Sequence, residues 1–168
     1  MGLLQEGVVC GAVTKTDMTR KLTLDGVTKA YSVYKIRLDQ LYYNEQNDRI
    51  ATWLNEYASE HGPLPDGDRE TYNAVLEDFI VKSNPEAIRK TQKNIELVDQ
   101  REAGVVLNDG RIIDGNRRFT CLRKLAKDSE RFNSFEAVIL ERDMRDSAKQ
   151  IKMLELQIQH GEESRVEY

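Results

Sequence analysis

Hydrophobic residues recur along this chain with two periods, and the points where one gives way to the other mark out its elements. The first thirty residues alternate weakly. Leu22 and Leu24 then lead into Asp25-Gly26, a pair suited to a tight hairpin turn, and alternation resumes from Ala30 to Leu38. Along this second run Tyr31, Val33 and Lys35 fall on one face while Tyr34, Ile36 and Leu38 fall on the other, so the strand is expected to carry apolar surface on both sides. The period then becomes helical. Ile50, Trp53, Leu54, Tyr57 and Ala58 form one stripe behind the candidate caps Asn47 and Asp48, and His61-Gly62-Pro63 ends it. Tyr72, Val75, Leu76, Phe79 and Ile80 form a second stripe. Ser83-Asn84-Pro85 closes that helix and opens another, because proline at a first helical position followed by Glu86 suits a helix start, with Ile88 on its buried side.

From Ile95 the pattern turns to strands: Glu96-Leu97-Val98, then Gly104 to Leu107, the turn Asn108-Asp109-Gly110, and the partner Arg111-Ile112-Ile113. After Gly115 the spacing is helical again, with Phe119, Leu122, Leu125 and Ala126 on one side, and Lys124 and Lys127 near the C-terminal end. A strand from Phe135 to Leu140 and a helix from about Ser147 follow. These elements predict an α/β (α+β) fold, a small mixed sheet surrounded by helices. The expected division is an N-terminal hairpin extension at 1–30 and a domain at 31–168 with a helical insertion at about 63–93. The ending from Glu162 to Tyr168 has no stop signal and reads as an interrupted sequence, the N-terminal part of a longer protein.

Composition narrows the chemistry. A chain of 168 residues suits one domain with an appended element, and its 32% charged residues describe a highly solvated surface. The formal net charge of -4 gives no overall attraction to a polyanion, so any nucleic-acid or nucleotide contact has to be local. Cys10 and Cys121 lie far apart, without the spacing of a zinc site or a disulfide framework, which suits a reducing cytoplasm. No run approaches the roughly 18 apolar residues of a membrane span, and no secretory leader pattern opens the chain. His61 and His160 are read as surface residues and Trp53 as core, while Tyr42-Tyr43 is a weak candidate for contact with a base. A Ser/His/Asp set, a GxxxxGK[ST] loop and an HExxH pair are all missing from the sequence.

The segment that carries chemistry is Asp114-Gly115-Asn116-Arg117-Arg118. A short strand, one glycine and a helix opening on two arginines make an anion site, because free backbone N–H groups and the helix dipole converge on one spot. Gly115 lets a ligand approach the backbone, and Arg117 and Arg118 add planar donors suited to phosphate. Asp114 is the carboxylate best placed for a metal contact or a general base; a turn or capping role is its alternative. The plainer reading of the whole segment is a turn followed by a packing helix with solvated arginines. Cys121 reads as a small packing residue.

The run from Ile112 to Leu122 resembles the signature of the ParB/sulfiredoxin-like superfamily: a glycine, a glutamate, two arginines and a downstream alanine. The likeness spans roughly Lys35 to Tyr168. Ile36 to Leu41 with Asn44 and Arg49 is similar to that family's opening strand and its exit, and Met153 to Gln159 is similar to its second phosphate motif. The resemblance implies a domain that binds a nucleoside triphosphate, CTP or ATP, with slow hydrolysis, in a DNA-associated process such as partition or mobile-element maintenance. It further implies that Gly115, Asn116, Arg117, Arg118, Arg49 and Gln157 meet the phosphates. Asp114 and Glu155 would be catalytic, with Glu155 also a ligand to Mg2+. DNA, through regions outside this chain, and a second copy in a homodimer are its implied partners. Asn116 stands where the family commonly has glutamate, and the second motif lacks the usual Asn and Arg, so the resemblance implies a divergent member. Asn116 also occupies the position of the sulfiredoxin cysteine, so peroxiredoxin repair is not implied. Two rival readings are a module that grips the DNA backbone with the same arginines, and a small-molecule kinase of the serine type.

Overall fold

A computed structural model describes residues 2–47, 50–65, 67–141 and 148–166, with 159–166 by backbone only. After a π-helical turn at Leu3–Gly7, strands β1 (Val13–Leu24) and β2 (Val27–Arg37) form the hairpin that the alternation predicts. Asp25 and Gly26 connect them at φ 54° and 79°, the left-handed pair that a two-residue turn matched to strand twist requires. Helices α1 (Ala51–His61), α2 (Arg69–Ser83) and α3 (Pro85–Val98) follow, then β3 (Gly104–Leu107), β4 (Ile112–Asp114), α4 (Asn116–Ala126), β5 (Ser134–Leu140) and α5 (Ala148–Val166). The class is mixed α/β, with one five-stranded sheet in the order β1-β2-β5-β3-β4. β3 and β5 run parallel and the other neighbours antiparallel.

Both faces of this sheet are covered, which explains why its inner strands read as apolar on each side. Ile36, Val106, Ile112, Phe135, Ala137 and Ile139 pack under α2, α3 and α4, with Tyr34 against the same cluster. The intervening positions Val33, Val105, Ile113, Val138 and Leu140 pack under Ile151, Leu154 and Ile158 of α5, with Tyr31 beside them. The residue-30 boundary expected between extension and domain falls inside β2, and β1 contributes Val13 to one cluster and Leu22 and Leu24 to the other.

Asn84 and Pro85 start α3 as expected, Asn84 accepting from the Ala87 N–H at 3.1 Å. The expected strand Glu96-Leu97-Val98 is instead the last turn of α3. Ile88 and Ile95, two turns apart, are both buried on one helix face, whereas Leu97 is 83% exposed and has nothing to pair with. Helix-face burial there outweighed local strand preference. α1 begins after Ile50, whose N–H donates to the Asn47 carbonyl at 3.2 Å, and Asp48 lies outside the described residues. The expected insertion at 63–93 corresponds to α2 and most of α3.

β1 and β4 stand at opposite edges of the sheet, about 19 Å apart if it were flat. Yet Arg20 of β1 donates to Asp114 at the end of β4 at 2.9 Å and to the Ala103 carbonyl at 2.7 Å. The sheet must therefore coil strongly, and a register shift in β1 between Lys15 and Thr19 supplies a bulge that adds twist.

The segment leaving β2 is tied to α2 through a buried side chain. Asn73 accepts from the Tyr43 N–H at 3.1 Å and donates to the Leu41 carbonyl at 3.0 Å, supplying the pairing that a neighbouring strand would give. Tyr43, weighed above as a base contact, is fully buried: it packs edge-on against Phe119, and its hydroxyl bonds Thr120. Replacing Asn73 by alanine strands two buried backbone groups, and the expected loss is about 3 kcal/mol of unfolding free energy, measured by urea denaturation. A loss under about 1 kcal/mol would show that water or the backbone compensates.

Candidate functional site

The β3–β4 hairpin delivers Asp114 to the sheet edge, and Gly115 turns the chain into α4. Gly115 adopts φ 105°, which favours glycine, and the space its Cβ would need is bounded by the Phe135 ring at 2.8 Å and the Arg118 guanidinium at 3.2 Å. The first backbone bond of α4 runs from the Phe119 N–H to the Gly115 carbonyl at 2.9 Å. Gly115, as the N-cap residue, has no side chain to offer the first turn, so the amides of Asn116 and Arg118 have no acceptor within the helix.

A cleft of about 500 Å³ opens beside this turn. One wall is Asp114, Gly115, Asn116, Arg117 and Arg118; the other is Lys90, Thr91 and Asn94 of α3, with Gln100, Arg101 and Glu102 at the edge. Four cationic side chains and two carboxylates line it. Phosphate-type recognition groups and a concave space thus coincide at the turn singled out from the sequence.

The guanidinium of Arg118 is held at both ends. Its Nη2 donates to Asp114 Oδ2 at 3.3 Å and its Nη1 to Glu102 Oε2 at 2.8 Å. Arg20 reaches the same Asp114 oxygen, so Asp114 is shared between two arginines. The two ends differ in environment: the Asp114 side chain is 19% exposed and that of Glu102 is 76% exposed. The backbone beneath Glu102 is fixed, since Gln100 donates to the carbonyls of Glu102 and Glu136, each at 2.8 Å, and accepts from the Glu136 N–H at 2.8 Å. Two polar atoms at the turn, Asn116 Oδ1 and Arg118 Nε, are buried without a partner. Such orphans are uncommon in folded proteins.

Glu155 and Gln157 are not in this lining. Glu155 accepts from Asn44 Nδ2 at 2.8 Å and does not line this cleft. Asn44 borders a second cleft of about 450 Å³ in which Arg69 stacks over Tyr42 at 4.7 Å, near Tyr72 and Arg111. Gln157 bonds Asp25 in the β1–β2 turn, accepting from its N–H at 2.9 Å. Arg49 lies outside the described residues.

Asp114 and Glu102, the two carboxylates of the cleft, each already give one oxygen to arginine, and Glu155 is not among the lining residues. Among the described residues no group of three or more His, Cys, Asp or Glu side chains could hold a metal ion. Asp114 Oδ2 anchors two guanidinium groups. Cys121 is wholly buried, its thiol directed at the Ile88 carbonyl. Burial pushes that thiol up to about 11, against the pull of Lys124 and Arg117, so it is no thiolate nucleophile at neutral pH.

Residue reasoning missed Arg20, Lys90, Thr91, Asn94 and Glu102. Lys90, Thr91 and Asn94 share a helix face by spacing, which was a usable signal; Arg20 sits 94 residues from Asp114 and gave none. Comparison with protein-family models, curated proteins and solved structures finds no match. Among the described residues no helix is long and apolar enough to cross a membrane.

Gly115→Ala should cost about 2 kcal/mol, from left-handed backbone strain plus contact with Phe135, read as a lower urea midpoint; an unchanged midpoint would mean the turn relaxes freely. A raised thiol pKa means that the folded state holds the proton more tightly. Stability from Cys121 is thus complete below about pH 9 and is lost as pH rises toward 11. Unfolding free energy measured across that window should decline, and Cys121→Ala should flatten the decline.

Proposed function

We propose that the cleft beside Gly115 binds the phosphate end of a nucleoside triphosphate, CTP or ATP. The observation that carries this reading is the coincidence, on one concave wall, of the uncapped start of α4 with Arg117 and Arg118. Lys90 and Arg101 add positive charge from the facing side, and a space of about 500 Å³ lies within the range of small-ligand sites. The local excess of cations answers the requirement set by an acidic chain, that contact with a polyanion be confined to one place. Magnesium would enter on the phosphate oxygens of the nucleotide. With Asp114 Oδ2 shared between two arginines, the reading is binding first, with hydrolysis slow. DNA and a second copy of the chain would then be met by other surfaces, in a ParB-like, DNA-associated role.

Arg118→Ala and Arg117→Ala should each weaken CTP or ATP binding by roughly tenfold or more in calorimetry, the value of one or two charge-assisted hydrogen bonds. Arg118→Lys, which keeps the charge and loses the planar fork, should fall between. Circular dichroism should show the fold retained in all three. Affinity unchanged in both alanine variants would overturn the assignment.

A further inference from the structure

Arg118 is the most fully organised cation in the cleft, and its outward end already carries an anion. Glu102 Oε2 sits 2.8 Å from Nη1, where an incoming phosphate oxygen would have to bind. The other end of the guanidinium is gripped by Asp114 in a partly buried pair, so the ring of donors stays in place when Glu102 leaves. Glu102 itself is mostly exposed, and Gln100 pins its backbone to β5. The side chain can therefore swing into solvent without any rearrangement of the loop. An exposed pair of this kind is worth little, so the contact is reversible at small cost.

We propose that Glu102 is a built-in competitor for Arg118, which restricts this arginine to ligands ending in a dianionic phosphate. The inference rests on the reading of the cleft as a phosphate site. Its physical content is an exchange. A singly charged oxyanion, such as a phosphodiester of a nucleic-acid backbone, replaces one carboxylate charge by another and gains almost nothing at Arg118. A terminal phosphate carries about two charges at neutral pH, with a second pKa of about 6, and three acceptor oxygens, so it outbids the carboxylate. Until that happens the binding-competent form is only part of the population, and the apparent affinity of every ligand that uses Arg118 is reduced by that fraction. Glu102 thus removes the contribution of Arg118 to a phosphodiester, while leaving Arg118 available to a terminal phosphate.

The test is a double-mutant cycle with two ligands whose terminal phosphates differ by one charge: ATP, or CTP, and its γ-phosphate methyl ester. Affinities are measured by calorimetry for the unaltered chain, Glu102→Gln, Arg118→Ala and the double variant. Glu102→Gln is nearly isosteric at an exposed position and should leave the fold unchanged. It should tighten ATP and its ester by up to about fivefold, the most that an exposed pair is worth. Arg118→Ala should weaken ATP in the unaltered chain while leaving the ester alone, and should weaken both in the Glu102→Gln background. The gain from Glu102→Gln should vanish once Arg118 is gone. A gain that persists in the Arg118→Ala background means that Glu102 acts only through the general field, and the inference falls while nucleotide binding stands. No gain from Glu102→Gln likewise overturns it. Failure of ATP and CTP to bind either the unaltered chain or Glu102→Gln overturns the underlying reading instead.

Discussion

One carboxylate joins what the strand order keeps apart. Asp114 closes β4 at one edge of the sheet, Arg20 belongs to β1 at the other edge, and Arg118 belongs to the helix that follows. A single oxygen of Asp114 accepts from both arginines, so the coil of the sheet, the direction of α4 and the pose of the Arg118 guanidinium are set together. In a partly buried setting, removing one member of such a group is far costlier than the group's net worth, since the remaining charges lose their partners. That asymmetry makes the arrangement a constraint on geometry more than a source of stability.

The same constraint explains the character of the cleft. Gly115 stands where a left-handed residue is needed and where a Cβ would press on Phe135 and Arg118, so the turn is as compact as a backbone can make it. α3 brings Lys90, Thr91 and Asn94 to face it, and the pinned 99–103 loop brings Glu102. The result is a site in which the Arg118 guanidinium is already oriented, so that little of its freedom remains to be lost when an anion arrives. The exposed end of the Glu102 side chain is a weakly held component of it. The second cleft, with Arg69 over Tyr42, shares none of these lining residues and is tied to Glu155 through Asn44.

Several elements were legible in advance because their signals are local. Asp25-Gly26 and Asn108-Asp109-Gly110 have few alternatives to a tight turn, Pro85 behind Asn84 has few alternatives to a helix start, and two-sided apolar alternation in β2 announced a sheet covered on both faces. Where local and distant terms conflicted, the local reading failed. Leu97-Val98 has strand-like residues, yet the burial of Ile88 and Ile95 on one face keeps them helical. Tyr43 looked available to a ligand and is instead a core residue, because Phe119, Thr120 and Asn73 converge on it from other elements.

By itself the sequence determined the turn at Gly115, the helix opening on Arg117 and Arg118, and the mixed α/β class, since backbone preference and hydrophobic period act within a few residues. Only the tertiary structure decided which charges would meet. Arg118 finds Glu102 across 16 positions and Asp114 finds Arg20 across 94, while Glu155 and Gln157 are drawn to Asn44 and Asp25 instead. The physical reason is that a side-chain ion pair depends on strand order and sheet coiling, which emerge when two apolar faces are buried at once and are written in no single segment of the chain.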